Sequence, residues 1–290
     1  MNSASCHKVP IILCADDFGI ASGVSHAICE LIEAERISAT SCMVVNQPFQ
    51  KHAQLLAPLR DHVDIGLHLT LTDLPAMIKN STLSSGGKFH PLKKLMRLAF
   101  LHQISRDDVF QEINHQFTAF EQAFGEPPDF LDGHHHVHQL PIIREIALEI
   151  ASTRLGGPRY VRNCSDSVGS ILSRNVSNSK ALMISALGIG LRPRATKNEL
   201  SFNSRFSGIY DFSGKTPYAS LFERFVRRMS NQGLIMCHPG HADNELRQRD
   251  QVVEQREHEF EFLMSSGFPS LLHRFNIRLA RFSNQASEFD

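Results

Sequence analysis

Two neighbouring carboxylates, Asp16 and Asp17, follow the apolar run "PIILCA" in "ADDFG". Histidines gather at three other places: His68 in "DIGLHLTLTD", His134, His135, His136 and His138 in "GHHHVH", and His238 and His241 in "CHPGHAD". Carboxylates and imidazoles ligate divalent ions and move protons near neutral pH. Adjacent carboxylates repel, and at the end of a buried strand they cannot both leave water unless a cation lies beside them. In so histidine-rich a chain, the cation expected is a divalent metal. Each group also has a plainer reading. An Asp pair after a strand can cap the next helix, a lone His among alternating apolar residues can be a satisfied core residue, and a His run can be an exposed tract that binds metal adventitiously. The joint occurrence at strand ends favours ligation.

Bringing four distant stretches together requires a scaffold, and the hydrophobic pattern supplies one. "IILCA", "ATSCMVV", "DFLDG", "RYVRN", "GLIMC" and "NIRLARF" read as strands. Between them lie helical patterns. Ser22 is a candidate N-cap for a helix burying Ala27, Ile28, Leu31 and Ile32. Val109, Ile113, Phe117, Phe120 and Phe124 line one face of a helix from Ser105 that ends at Gly125. Further helices are expected at Pro141 and at Thr216–Pro217. Strand and helix in alternation predict a mainly parallel sheet wrapped by helices, either a β/α barrel or an open doubly wound sheet. In such folds the C-terminal strand ends share one face, so Asp16, Asp17, His68, His134 and His238 can meet there. Residues 72–105 and 163–215 break the rhythm, the second around one helix near 181–191. They read as loop insertions that shape a substrate groove.

Composition narrows the function classes. The 290 residues are 42% hydrophobic and carry thirty basic and thirty acidic side chains, a balance that points to neither nucleic acid nor an anionic membrane. No apolar run approaches the ~20 residues of a membrane span or forms a signal-peptide core, so a cytoplasmic location is expected. Six scattered cysteines make no C-x-x-C pair and imply no disulfide framework.

Taken in order, "ADDFG", "GLHL", "LDGHHHVH" and "MCHP" resemble the YdjC-like (ChbG/HpnK) carbohydrate deacetylase family, over about residues 9–265. The resemblance implies a single deacetylase domain with a core over about 9–283, built as an irregular β/α barrel similar to polysaccharide deacetylases. It also implies removal of the acetyl group from an N-acetylated amino sugar. By the same resemblance Asp17, His68 and His134 bind the metal, Asp16 is the catalytic base and His238 the general acid, while His241 stays unassigned. The ion named by the resemblance is magnesium, whereas one carboxylate and two imidazoles suit zinc better on ligand softness. Asp132 is placed to orient a histidine ring. Other metal-dependent hydrolases, such as a phosphoesterase or amidohydrolase, use the same residue types, but those barrels commonly begin with a His-x-His pair, absent here. A non-catalytic sugar- or metal-binding protein would need neither Asp16 nor His238. Whether the sugar is free, oligomeric or lipid-linked stays open, as does a homodimer.

Overall fold

The computed structural model describes residues 8–46, 49–157 and 159–285. In chain order its strands are β1 (Val9–Phe18), β2 (Ala39–Cys42), β3 (Asp64–Leu69), a hairpin of β4 (Ser84–Ser85) and β5 (Lys88–Phe89), β6 (Phe130–Gly133), β7 (Tyr160–Val161), β8 (Ser201–Phe202), β9 (Phe206–Ser207), β10 (Gly233–Cys237) and β11 (Ile277–Leu279). Apart from the antiparallel hairpin, all pair parallel in one sheet of order β8-β7-β6-β3-β2-β1-β10-β9, with β11 joined to the start of β1. Helices cover a parallel sheet on its outer side, so its strands read as continuous apolar runs. Ile11–Ala15 and Gly233–Cys237 are buried throughout.

The two ends of this sheet meet. β8 pairs with β7, β9 pairs with β10, and only residues 203–205 separate them, so residues 201–207 form one broken strand that bridges both edges. Asn203 fills the break. Its Oδ1 accepts from the Asn163 amide at 2.7 Å, and its Nδ2 donates to the carbonyls of Asn163 and Arg205, both at 2.8 Å. The buried side-chain amide thus supplies hydrogen bonds that a strand pair would otherwise make. The result is an irregular β/α barrel whose strands open at their C-terminal ends on one face.

The helix Arg106–Phe124 shows how pattern becomes packing. Val109, Ile113, Phe117 and Phe120 are buried, Ser105 caps the start by accepting from the Asp108 amide at 3.3 Å, and Gly125 (φ 74°) ends the helix in the left-handed conformation. Its buried Gln116 grips Thr70, two residues past His68, donating to the Thr70 carbonyl at 2.7 Å and accepting from the Thr70 amide at 3.0 Å. That grip holds the end of β3 in place.

Several expectations shift. β1 does not stop at Ala15 but runs through both carboxylates to Phe18. Ala21, not Ser22, occupies the N-cap of the helix Ser22–Glu33. The caps come from far along the chain: Glu245 accepts from the Ser22 amide and hydroxyl at 2.8 and 3.0 Å, and Asp243 from the Gly23 amide at 2.6 Å. Gly23 permits this approach, since a Cβ there would lie 2.4 Å from the His241 carbonyl oxygen. The helix expected at Pro141 begins at Ile143, and the one expected at Thr216 begins at Tyr218. Residues 163–215 are not a loop around one helix. They hold three helices, Val168–Arg174, Asn178–Ile189 and Leu191–Lys197, and the broken strand that closes the sheet, whose two-residue halves are too short to show an alternating pattern. Cys14, Cys42, Cys164 and Cys237 are buried free thiols and Cys29 is a partly buried one, whereas Cys6 lies outside the described residues. No helix among the described residues is long and apolar enough to cross a membrane.

Asn203→Ala deletes three hydrogen bonds and takes the Asn203 side chain from the buried amide and carbonyl of Asn163, while the Arg205 carbonyl keeps the Leu234 amide at 2.9 Å. The substitution should cost roughly 2–4 kcal/mol of unfolding free energy, read from denaturant titration. A loss under about 0.5 kcal/mol would show that the broken strand closes the sheet without it.

Candidate functional site

A regular strand sends neighbouring side chains to opposite faces, so Asp16 and Asp17 need a break in β1 to share a site. The β1–β2 register shifts between Ala15 and Phe18, and Asp17 takes φ 70°, a conformation Asp tolerates better than most residues. With this bulge, both carboxylates line one cleft.

There the Asp17 Oδ1 lies 3.3 Å from His68 Nε2 and 3.1 Å from His134 Nδ1. These three ligand atoms fall within 4.8 Å of one another and can hold a single ion. The other ring nitrogen of His68 is already tied down. β3 and β6 pair His68 with Asp132 in register, and His68 Nδ1 sits 2.6 Å from Asp132 Oδ1 and 2.9 Å from Ser41 Oγ. A carboxylate behind a ligating imidazole fixes its tautomer and strengthens it as a donor. Burial works against a charged His68 ring, but Asp132, Asp17 and Asp16 outweigh it and raise its pKa to about 10. The ring that Asp132 orients is therefore that of His68.

Two arginines supply cations that the sequence reading does not anticipate. Arg162, fully buried just past β7, donates from Nη1 and Nη2 to the two oxygens of Asp16, each at 2.6 Å, and its Nη2 also lies 2.5 Å from Asp132 Oδ2. Arg256, in the helix Glu254–Met264, donates from Nη2 to Asp17 Oδ2 at 2.6 Å and to Asp250 Oδ2 at 2.5 Å. Burial alone would push both carboxyl groups up, but Arg162 holds Asp16, and Arg256 with His134 holds Asp17, below the ordinary carboxylate range. The expectation that a metal alone reconciles the two carboxylates is corrected accordingly: each already has its own guanidinium. A signal existed in "RYVRN", an arginine at the end of a buried strand, and in "EQREHEF", where a helix turns Arg256 and Glu259 inward.

His238, just past β10, presents Nε2 3.9 Å from Asp16 Oδ2, with its ring edge-on to Phe212 at 5.2 Å between centroids. Its backbone amide donates to Glu259 Oε2 at 2.6 Å, and Glu259 Oε1 accepts from the Tyr210 hydroxyl at 2.5 Å. Burial lowers the His238 ring to about 4 despite Asp17 and Asp16 nearby, so it is neutral at neutral pH. Of the histidine cluster, only His134 reaches Asp17. His135 lies tilted against the His134 ring and meets Thr72 Oγ1 at 2.9 Å, His136 lies against Cys164, and His138 Nε2 meets the Arg162 carbonyl at 2.8 Å. His241 pairs with Glu30 at 3.0 Å and packs on Phe260. The cleft encloses about 930 Å³ including its open mouth. The two rhythm-breaking stretches wall it, Leu92 and Met96 from one, Lys180, Leu187 and Phe212 from the other.

A family model described as YdjC-like protein matches residues 10–274. A chitooligosaccharide deacetylase of Proteus mirabilis is 28% identical over 243 residues, covering 82% of this chain and 83% of its own length. Among solved structures, a proposed cellobiose-phosphate cleavage protein of Enterococcus faecalis aligns with a TM-score of 0.73 at 20% identity, covering 96% of this chain and 99% of that one. A peptidoglycan N-acetylglucosamine deacetylase aligns with a TM-score of 0.50 at 10% identity, covering 96% and 87%. These structural likenesses show the fold, a β/α barrel similar to that of polysaccharide deacetylases.

Arg162→Met leaves Asp16 and Asp132 buried without their shared cation and should cost roughly 3–5 kcal/mol near neutral pH. In the parent protein the folded pKa of Asp16 lies below its unfolded value, so its stabilisation is present above the ordinary carboxylate range and is lost as pH falls beneath it. In the variant, burial without the guanidinium raises that pKa above the unfolded value, and the penalty shrinks as pH falls toward about 4. Denaturant titrations at about pH 7.5 and about pH 5 should show the gap between the two proteins narrowing in acid. A gap independent of pH would contradict the pairing.

Proposed function

The chain belongs to the YdjC-like family, and from that premise we propose that it is a metal-dependent carbohydrate deacetylase, a hydrolase that releases acetate from an N-acetylated amino sugar. The observation that carries this reading is the meeting of Asp17, His68 and His134 at ligand distance, with Asp16 and His238 beside them. A donor set of one carboxylate and two imidazoles, with His68 backed by Asp132, fits a divalent ion. Family resemblance names magnesium, and donor softness suits zinc or another late transition metal. The chemistry such an ion supplies is polarisation of the acetyl carbonyl and stabilisation of the charge that develops on its oxygen.

The chain's own residues do the rest. Asp16 accepts a proton from the attacking water, and Arg162, gripping both of its oxygens, keeps it ionised and oriented for that step. So tightly paired a carboxylate is a weak base and does not retain the proton. His238, neutral at rest and 3.9 Å away, receives it and gives it to the departing amine. The carbonyl carbon thereby gains an oxygen and loses its nitrogen, and the nitrogen leaves with the proton that an unassisted amide would lack. Phe212 and Lys180 stand where a sugar ring would enter, Lys180 held by the Tyr210 carbonyl at 3.0 Å.

Incubation with N-acetylated amino sugars of increasing length should release acetate, and release of phosphate from sugar phosphates without acetate would overturn the assignment. Asp16→Asn should lower turnover by about 10²–10⁴-fold while leaving ion binding intact. His238→Ala should slow an N-acetyl sugar far more than a nitrophenyl acetate, whose leaving group needs no proton. Equal losses on amide and ester would remove His238 from the proton path.

A further inference from the structure

The two oxygens of Asp17 have different partners. Oδ1 faces His68 and His134, whereas Oδ2 accepts from Arg256 Nη2 at 2.6 Å. Arg256 is itself held from several sides. Its Nε donates to the Val252 carbonyl at 3.0 Å, its Nη2 reaches Asp250 Oδ2, and its backbone carbonyl accepts from the Gly240 amide at 3.1 Å. Gly240 packs directly on this segment, and a Cβ there would lie 2.8 Å from Val24 Cγ2. The guanidinium is buried, so solvent does little to weaken its hold on the two carboxylates, and Asp250 lines the same cleft as Asp17.

On the reading that Asp17, His68 and His134 hold an ion, we infer that Arg256 is a positioning residue that restricts Asp17 to one-oxygen ligation and keeps Asp250 out of the coordination sphere. A carboxylate free at both oxygens can chelate, and chelating carboxylates suit a large cation with six to eight oxygen ligands such as Ca²⁺. Arg256 occupies the second oxygen and so favours an ion that accepts one oxygen and two ring nitrogens. It also places a positive charge close to the ion, which lowers the site's attraction for any dication. Its Nη2 meets both carboxylates while its Nε is anchored on the Val252 carbonyl, a two-nitrogen grip that the single ammonium of a lysine does not reproduce.

The charge and the geometry can be separated. Arg256→Gln removes the positive charge and should tighten Mn²⁺ binding by about tenfold or more, because the site becomes more negative by one charge. The double variant Arg256→Gln, Asp250→Asn restores the local charge balance, so whatever change remains reports ligation alone. Calorimetric titration of the metal-stripped full-length chain with MnCl2 and CaCl2, each variant first confirmed as folded by circular dichroism, reads both effects. In the double variant, Ca²⁺ should gain on Mn²⁺ by about tenfold relative to the parent protein. The double variant carries the test if the single one fails to fold. An unchanged Ca²⁺-to-Mn²⁺ preference, or equal weakening of both ions, would overturn the inference and leave Arg256 a core-filling residue. A parent protein that binds neither ion would overturn the ion site itself and this inference with it.

Discussion

Two adjacent carboxylates buried in the central strand of a barrel set the terms for everything around them. Neither Asp16 nor Asp17 can stay ionised there unaided, and each is met by one guanidinium at 2.6 Å. Arg162 crosses the barrel from the end of β7 and on the way touches Asp132, which holds His68. Arg256 comes from a helix more than two hundred residues further along and brings Asp250 with it. The strand register, the closing of the sheet beside Asn163 and Asn203, and the docking of the helix Glu254–Met264 can all be read as the means of delivering these two cations. A folded domain has only about 5–15 kcal/mol in hand, so a buried charge left unmatched would consume much of it.

The two arginines also divide the labour between the aspartates. Arg162 takes both oxygens of Asp16, which leaves that group ionised and oriented, with Oδ2 3.9 Å from His238 Nε2. Arg256 takes one oxygen of Asp17 and leaves the other facing two imidazoles. On the proposed function, this disposes one carboxylate to handle protons and its neighbour to ligate, although the two are consecutive in sequence. Glu259, one turn beyond Arg256 on the same helix face, holds the His238 backbone, so a single helix braces both Asp17 and His238.

Much of this is legible in the sequence. Continuous apolar runs mark β1 and β10, and the spacing of Val109, Ile113, Phe117 and Phe120 marks a helix. Chemical residues at the ends of such runs must share a face in a parallel fold, and Asp17, His68 and His134 do come together. What stayed hidden depends on contacts between distant residues. The bulge at Asp17 is a property of β1 paired with β2, not of "ADDFG" alone. Ser22 has the residue type of a cap, yet Asp243 and Glu245 arrive from elsewhere and take the role. The position of Arg162 at the end of an apolar run is a signal, but the partners of Arg162 and Arg256 show only once the carboxylates they neutralise are known to be buried. β8 and β9 are too short for any periodicity to show.

The central claim is that one ion is bound by Asp17, His68 and His134 while Asp16, saturated by Arg162, stands apart as a proton acceptor. Anomalous scattering from crystals of the parent protein grown with Mn²⁺ tests it most directly. The account predicts one strong peak about 2.0–2.3 Å from Asp17 Oδ1, His68 Nε2 and His134 Nδ1, with the Asp16–Arg162 pair intact and outside ligand distance. A peak ligated by Asp16, or no peak within reach of the two histidines at saturating Mn²⁺, would contradict it.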